Sequence, residues 1–159
     1  MAKTEYYADF QLIGNRIEQL KINNDFIVID VDSSSETKKS LKLSHLISDV
    51  EIDGEGKLTG ILSLNVKVKL VRAKEKCSVD LTLEGCFNAS GDLGEDRFRS
   101  MLEVNGLSTL YNMARSVLIS ITSQAFVQGS VILPMINVFK YIEGKKEEER
   151  KLAEKNQTK

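Results

Sequence analysis

Proline occurs only once in this chain, at Pro134, and tryptophan not at all. Histidine is also single, at His45, and cysteine appears only as Cys77 and Cys86. These scarcities exclude much chemistry. One histidine cannot supply the His-rich sets that zinc hydrolases use, and no Cys-x-x-Cys, His-Glu-x-x-His or Gly-x-Ser-x-Gly string is present. Charge of one sign is lacking too. The formal net charge is −1, so no overall field gathers nucleic acid, and none is expected as a partner. No apolar run approaches the ~18 residues of a membrane span. Met1-Ala2-Lys3-Thr4-Glu5 turns polar at once, without the apolar stretch of a signal peptide. On one strand, Cys77 and Cys86 would point to opposite faces about 30 Å apart and could not bridge. Two free thiols fit a reducing cytoplasm, which is the expected location.

What the chain does have is alternation. At 159 residues it is the size of one domain. From Gly60 to Arg72 apolar Leu62, Leu64, Val66, Val68 and Leu70 alternate with Ser63, Asn65, Lys67 and Lys69. From Cys77 to Phe87 the pattern repeats, with Cys77, Val79, Leu81 and Leu83 against Ser78, Asp80, Thr82 and Glu84. Period two is the mark of a half-buried strand, and the short polar link Ala73–Lys76 makes the pair an antiparallel hairpin. Phe10 to Ile22 reads as a further strand kinked at Gly14, and Ser44 to Ile52 as another. Asp53-Gly54-Glu55-Gly56-Lys57 is a turn, and Ser33 to Lys42 reads as a loop. The apolar run from Phe26 to Val31 suits a sheet edge or pairing with a partner chain.

After Gly91 the period changes. Leu93 to Val104 is moderately helical, and Leu107, Leu110, Tyr111, Ala114, Val117, Leu118, Ile121 and Ala125 recur at helical spacing, with Gly129 as the expected stop. Val131 to Ile136 is extended around Pro134. The charged segment 144–159 reads as a solvated tail, a helix that frays, behind a main domain of residues 1–143. Strands followed by helices give an α+β layout.

Functional candidates are few. His45 reads as a structural strand residue. Gly54-Glu55-Gly56-Lys57 lacks the glycine spacing and hydroxyl residue of a phosphate loop and reads as a turn. Asp49, Glu51 and Asp53 alternate like metal ligands, but a solvated strand edge explains them better. No metal, no cofactor and no enzyme activity is expected.

The last third carries a recognisable string. Leu110-Tyr111-Asn112-Met113-Ala114-Arg115 opens a helix running to Gln128-Gly129, followed by Leu133-Pro134, Asn137 and Phe139. Upstream stand Asn15-Arg16-Ile17 and Glu84-Gly85-Cys86-Phe87. In order and spacing, residues 10–141 resemble the SecB family of export chaperones. The segment from Asn23 to Lys42, the missing proline at the helix opening and the mixed-charge tail depart from that pattern. The resemblance implies a four-stranded antiparallel sheet packed with a long helix and shorter C-terminal helices. It implies a homotetramer, a dimer of dimers, that holds unfolded preproteins or nascent chains in apolar grooves without ATP. A dedicated partner such as an antitoxin is the alternative. It places the client groove along Cys77, Val79, Leu81 and Leu83, a face that serves equally well as core under the long helix. It places docking of the export motor SecA on the opposite face at Asp80 and Glu84, although Lys21 stands where the family has an acid.

Overall fold

The computed structural model describes residues 8–27 and 36–157. Five strands come first: β1 (Gln11–Asn24), β2 (Lys38–Ile47), β3 (Glu51–Ile52), β4 (Lys57–Arg72) and β5 (Glu75–Ser90). They form one antiparallel sheet in the order β1-β5-β4-β2, with the short β3 paired to the start of β4. At ~3.3 Å per residue, β4 and β5 each run about 50 Å. Helices follow. A 3₁₀ turn (Gly91–Leu93) leads into α1 (Glu95–Met101), a π-helical turn (Leu102–Gly106), α2 (Leu107–Ala125) and α3 (Val138–Gln157).

The alternation read in the sequence is the burial pattern of the central hairpin. Leu58, Leu62, Leu64, Val66, Val68 and Leu70 of β4 are buried, as are Cys77, Val79, Leu81, Leu83, Phe87 and Ala89 of β5. Their register partners place them on one face, beneath α1, the π turn and α2. The apolar stripe of α2, Leu107, Leu110, Tyr111, Ala114 and Leu118, closes the core from above. The helix layer comes so close that there is no room for a side chain at Gly85. A Cβ there would meet Phe87 at 2.8 Å, Leu110 at 2.9 Å and Leu12 at 3.2 Å. The glycine before Phe87 is therefore a packing requirement.

Several boundaries differ from the sequence reading. Lys38 to Lys42, expected in a loop, are strand residues of β2, while Ser33 to Ser35 lie outside the described residues. Leu41, Leu43, His45 and Ile47 are half-buried toward the helix layer, and Lys42, Ser44 and Leu46 between them are exposed. The expected strand from Ser44 to Ile52 is split, because the chain turns after Ile47 and β3 pairs with Leu58 and Thr59. Asp53 caps the following turn, its Oδ1 accepting from the amides of Glu55 (2.9 Å) and Lys57 (2.8 Å). The β4–β5 hairpin turns on Ala73 and Lys74 alone, since Glu75 and Lys76 already pair with Arg72 and Val71. β1 is bent by register shifts at Leu12/Gly14 and Ile17/Gln19, two bulges where one kink was expected.

The long helix ends at Ala125, before the expected stop at Gly129. Phe126 turns extended and is buried, and the Val127 amide donates to the Ile27 carbonyl at 2.8 Å. Phe26 is core as well. Asn24 brackets its amide and carbonyl, and the Arg72 guanidinium lies 4.9 Å over its ring. Val28 to Val31, the rest of that apolar run, lie outside the described residues. α3 runs unbroken through Gly144, with Ile142 buried and Lys146 paired to Glu103 at 3.1 Å. The segment 144–157 is thus the continuation of a helix that packs on the domain.

One buried polar side chain ties α2 to the segment after it. The Thr122 hydroxyl donates to the Leu118 carbonyl at 2.6 Å and accepts the Val131 amide at 2.7 Å, fully buried. Thr122→Val keeps the shape and orphans the Val131 N–H. A loss of about 1–3 kcal/mol is expected, read as a lower urea midpoint at unchanged m-value. A variant as stable as the parent would show that this hydrogen bond contributes nothing.

Candidate functional site

The residues expected to line a groove are core. Cys77, Val79, Leu81 and Leu83 are each 2% exposed or less. They pair with Leu70, Val68, Val66 and Leu64, all buried too. The reading that made them both groove and core keeps only its second half within this subunit, because the helix layer covers that face. Burial pushes the thiol pKa values of Cys77 and Cys86 up, and the two sit on opposite faces of β5, unbridged.

Asp80 and Glu84 lie on the open face of the sheet, as expected, but each carboxylate is engaged. Asp80 accepts from the Asn65 amide at 2.7 Å and pairs with Lys67 at 3.3 Å. Glu84 pairs with Arg16 at 2.6 Å. Lys21 stands opposite Asp80 in the next strand.

The concave apolar surface lies at the other side of the sheet. Between β2 and α3 runs a groove of about 620 Å³. Leu41 and Leu43 of β2 and Tyr141 of α3 give it apolar walls, and Lys42, Lys67, Lys140, Lys145 and Glu148 bring charge to its lining. β2 is the last strand of the sheet, and among the described residues nothing pairs with its outer edge. Its free N–H and C=O groups therefore run beside the groove.

A polar contact ties α3 to β2 at this groove. His45 Nδ1 and Tyr141 Oη are hydrogen-bonded at 3.2 Å, with ring centroids 5.6 Å apart. Burial is the main cause that lowers the His45 pKa. Glu103 and Glu149 oppose it, and Lys145 and Lys146 add to it. Burial and Glu148 push the Tyr141 pKa up to about 12. At neutral pH both rings are uncharged, so the pair works as a wedge between helix and sheet.

His45 also carries a pH prediction. Its pKa in the folded chain lies below that in the unfolded chain, so between the two values the unfolded state holds more protons. Its contribution is present above the ordinary histidine value of about 6.5 and is lost as pH falls from there through the folded pKa. Since His45 is the sole histidine, one imidazole resonance should titrate below 6.5. His45→Asn should flatten the fall in stability over that window. A resonance titrating above 6.5 would contradict the buried placement.

More apolar side chains stand open around the chain that links α2 to α3. Ile132, Met135 and Phe139 are 58%, 76% and 64% exposed. This linker is held to α2 by its backbone. Tyr111 Oη donates to the Pro134 carbonyl at 2.7 Å, and Arg115 Nε to the Leu133 carbonyl at 3.1 Å. The Tyr-x-x-x-Arg spacing and the Leu-Pro pair singled out in the sequence are thus two sides of one contact. A second open stripe runs along β1, where Ile17 (47%) and Leu20 (37%) share the helix-facing side with Leu83 and Leu81 but extend past the helix layer.

Sequence reasoning missed the β2–α3 groove because it left Lys38 to Lys42 in a loop. The signal was partial: Leu41, Leu43 and Ile47 alternate, but His45 on the inner face and Leu46 on the exposed one blur the pattern.

Neither a family model nor a curated protein matches this sequence. Solved structures do match. A SecB-like chaperone of Mycobacterium tuberculosis, in complex with a ChAD peptide from the HigA1 antitoxin, superposes with a TM-score of 0.63 at 10% sequence identity. The match covers 81% of this chain and 91% of that one. This chain has the SecB-like fold. A Streptococcus agalactiae protein of unknown function also matches, with a TM-score of 0.47 at 7% identity, covering 79% of this chain and 97% of that one. Where shorter C-terminal helices were expected, α3 beside β2 has 20 residues against 19 for α2 across the sheet.

Proposed function

We propose that this SecB-like chain is a chaperone that holds unfolded or nascent polypeptide in extended form along the groove between β2 and α3. It does so without ATP and without catalysing a reaction. The observation that carries this reading is the free edge of β2 running beside an apolar groove of about 620 Å³. An extended segment adds main-chain hydrogen bonds at such an edge whatever its sequence, and alternate side chains reach the groove. A client covering roughly 1,000 Å² gains about 25 kcal/mol gross from apolar burial. Ordering the client and arresting its motion offset most of that. Moderate affinity and tolerance of sequence follow, which suits a protein that must release what it holds.

Assembly belongs to the same proposal. Ile17 and Leu20 extend the core past the helix layer along the outer edge of β1, which no other described strand pairs, and a second copy docking there covers them. A dimer of dimers built this way leaves the β2 groove open. The ion pairs at Asp80 and Glu84 favour client holding over docking to SecA. Export of preproteins is therefore the weaker form of this reading. The two free thiols suit work in the cytoplasm.

The test is suppression of aggregation. Equimolar subunits, without nucleotide, should keep a thermally unfolding reporter enzyme in solution. Full aggregation of the reporter at several-fold excess of chaperone would overturn the proposal. The M. tuberculosis neighbour is bound to an antitoxin peptide, which favours a second reading, a dedicated chaperone for one such partner. Binding confined to one sequence across an array of unrelated unfolded segments would select it.

A further inference from the structure

The open face of the sheet, opposite the helices, is divided by charge. Toward the β4–β5 turn, register places Lys42, Lys67, Asp80 and Lys21 in one row across the four long strands. The next row outward is Ser40, Lys69, Ser78 and Asn23, and the last is Lys38, Val71 and Lys76. All six lysines are exposed. The one acid in these rows, Asp80, is already paired with Lys67 and held by Asn65. Lys42 faces Lys67 directly, although like charges on adjacent strands destabilise a sheet. A chain with a net charge of −1 has thus gathered a dense cationic field on half of one face.

We propose that this half-face docks an acidic polypeptide segment of a partner protein, along rows that meet the β2–α3 groove at Lys42 and Lys67 and run on beyond it. The occupant follows from charge and from what the rows lack. They contain no aromatic side chain on which an unpaired base could stack. Arg16, the arginine nearest these rows on this face, is bound to Glu84, so no guanidinium fork is free for base edges. β4 and β5 are paired on both sides, so their amides are not available to cradle phosphates. A long polyanion gains attraction at these rows but also meets the acids elsewhere on a chain of net charge −1. A short acidic segment feels only the field within about one screening length. Carboxylates on alternate residues of an extended segment lie ~7 Å apart, close to the spacing of Lys67 and Lys69 along β4.

The experiment uses a fluorescein-labelled peptide of alternating glutamate and serine and the full chain. Binding should weaken about tenfold between roughly 50 and 200 mM salt. The triple variant Lys38→Glu, Lys69→Glu, Lys76→Glu should bind the peptide at least about tenfold more weakly, since rim and patch charges set such contacts. It spares Lys42 and Lys67, which line the groove, and leaves the Lys67–Asp80 pair intact, so the sheet is retained. It should also suppress reporter aggregation as well as the parent, which separates failure of this proposal from failure of the groove. The control triple Arg97→Glu, Lys151→Glu, Lys155→Glu makes the same charge change on α1 and α3, away from the groove, and should bind the peptide normally. Equal loss in the control would overturn the proposal, as would unchanged binding by the sheet variant. Tighter binding of a DNA or RNA strand of equal charge, lost in the same variant, would overturn it in favour of nucleic acid.

Discussion

Leu81→Asp is expected to unfold the subunit rather than to empty a binding surface. Leu81 is 0% exposed, at the middle of β5, with Val66 and Leu20 as its register partners. Replacing it forfeits ~1.5–3 kcal/mol of side-chain burial and leaves a carboxylate that must either ionise in the core, at several kcal/mol, or stay protonated without a partner. The sum is comparable to the ~5–15 kcal/mol that holds a typical domain together. Val79→Asp acts by the same route, since Val79 is 2% exposed. Far-UV circular dichroism and urea unfolding give the readout. A Leu81→Asp protein with parental stability and lost client binding would mean that the helix layer lifts off this face and exposes it to clients.

The same row shows what could and could not be read in advance. Period two gives strand and face for β4 and β5, because a residue on a central strand has only two directions to point. It does not say which face the helices cover and which the solvent sees. Asp80, Thr82 and Glu84 show that the open face is polar, yet a client groove and a core make the same demand for Val79 and Leu81. That choice depends on where α2 lies, and the two tightest signs of it are glycines. Gly85 and Gly60 lack side chains because Leu110 and Leu102 press down on them, a close approach that becomes visible only in three dimensions. Edge strands are harder still. β1 slips phase at two bulges, so its apolar residues do not alternate simply. β2 opens on two lysines and a serine, a composition that suits a loop as well as an edge. The order of residues along α2 and the segment after it was informative for a different reason. The Tyr111 and Arg115 side chains donate to the Pro134 and Leu133 carbonyls and fix the linker, so their spacing is a geometric constraint.

Leu43→Asp is the same chemical change as Leu81→Asp with the opposite expected outcome. Leu43 is half-buried on the last strand, with Val66 on one side and a free edge on the other. Its new carboxylate can turn to water at that edge, so the stability cost should stay near 1 kcal/mol, about half of a full leucine burial. Client binding should suffer far more. Leu43 is part of the apolar wall that an added strand would press against, and a charge there must be desolvated each time a segment docks. A loss of ~1.4–3 kcal/mol, or about ten- to a hundredfold in Kd, is expected for an unfolded reporter, with circular dichroism and oligomeric state unchanged. Ile17→Asp at the opposite edge should do the reverse, splitting the oligomer while each subunit keeps its groove. If Leu43→Asp held clients as tightly as the parent while Ile17→Asp released them, binding would be assigned to the β1 edge, and the groove beside β2 would lose its role.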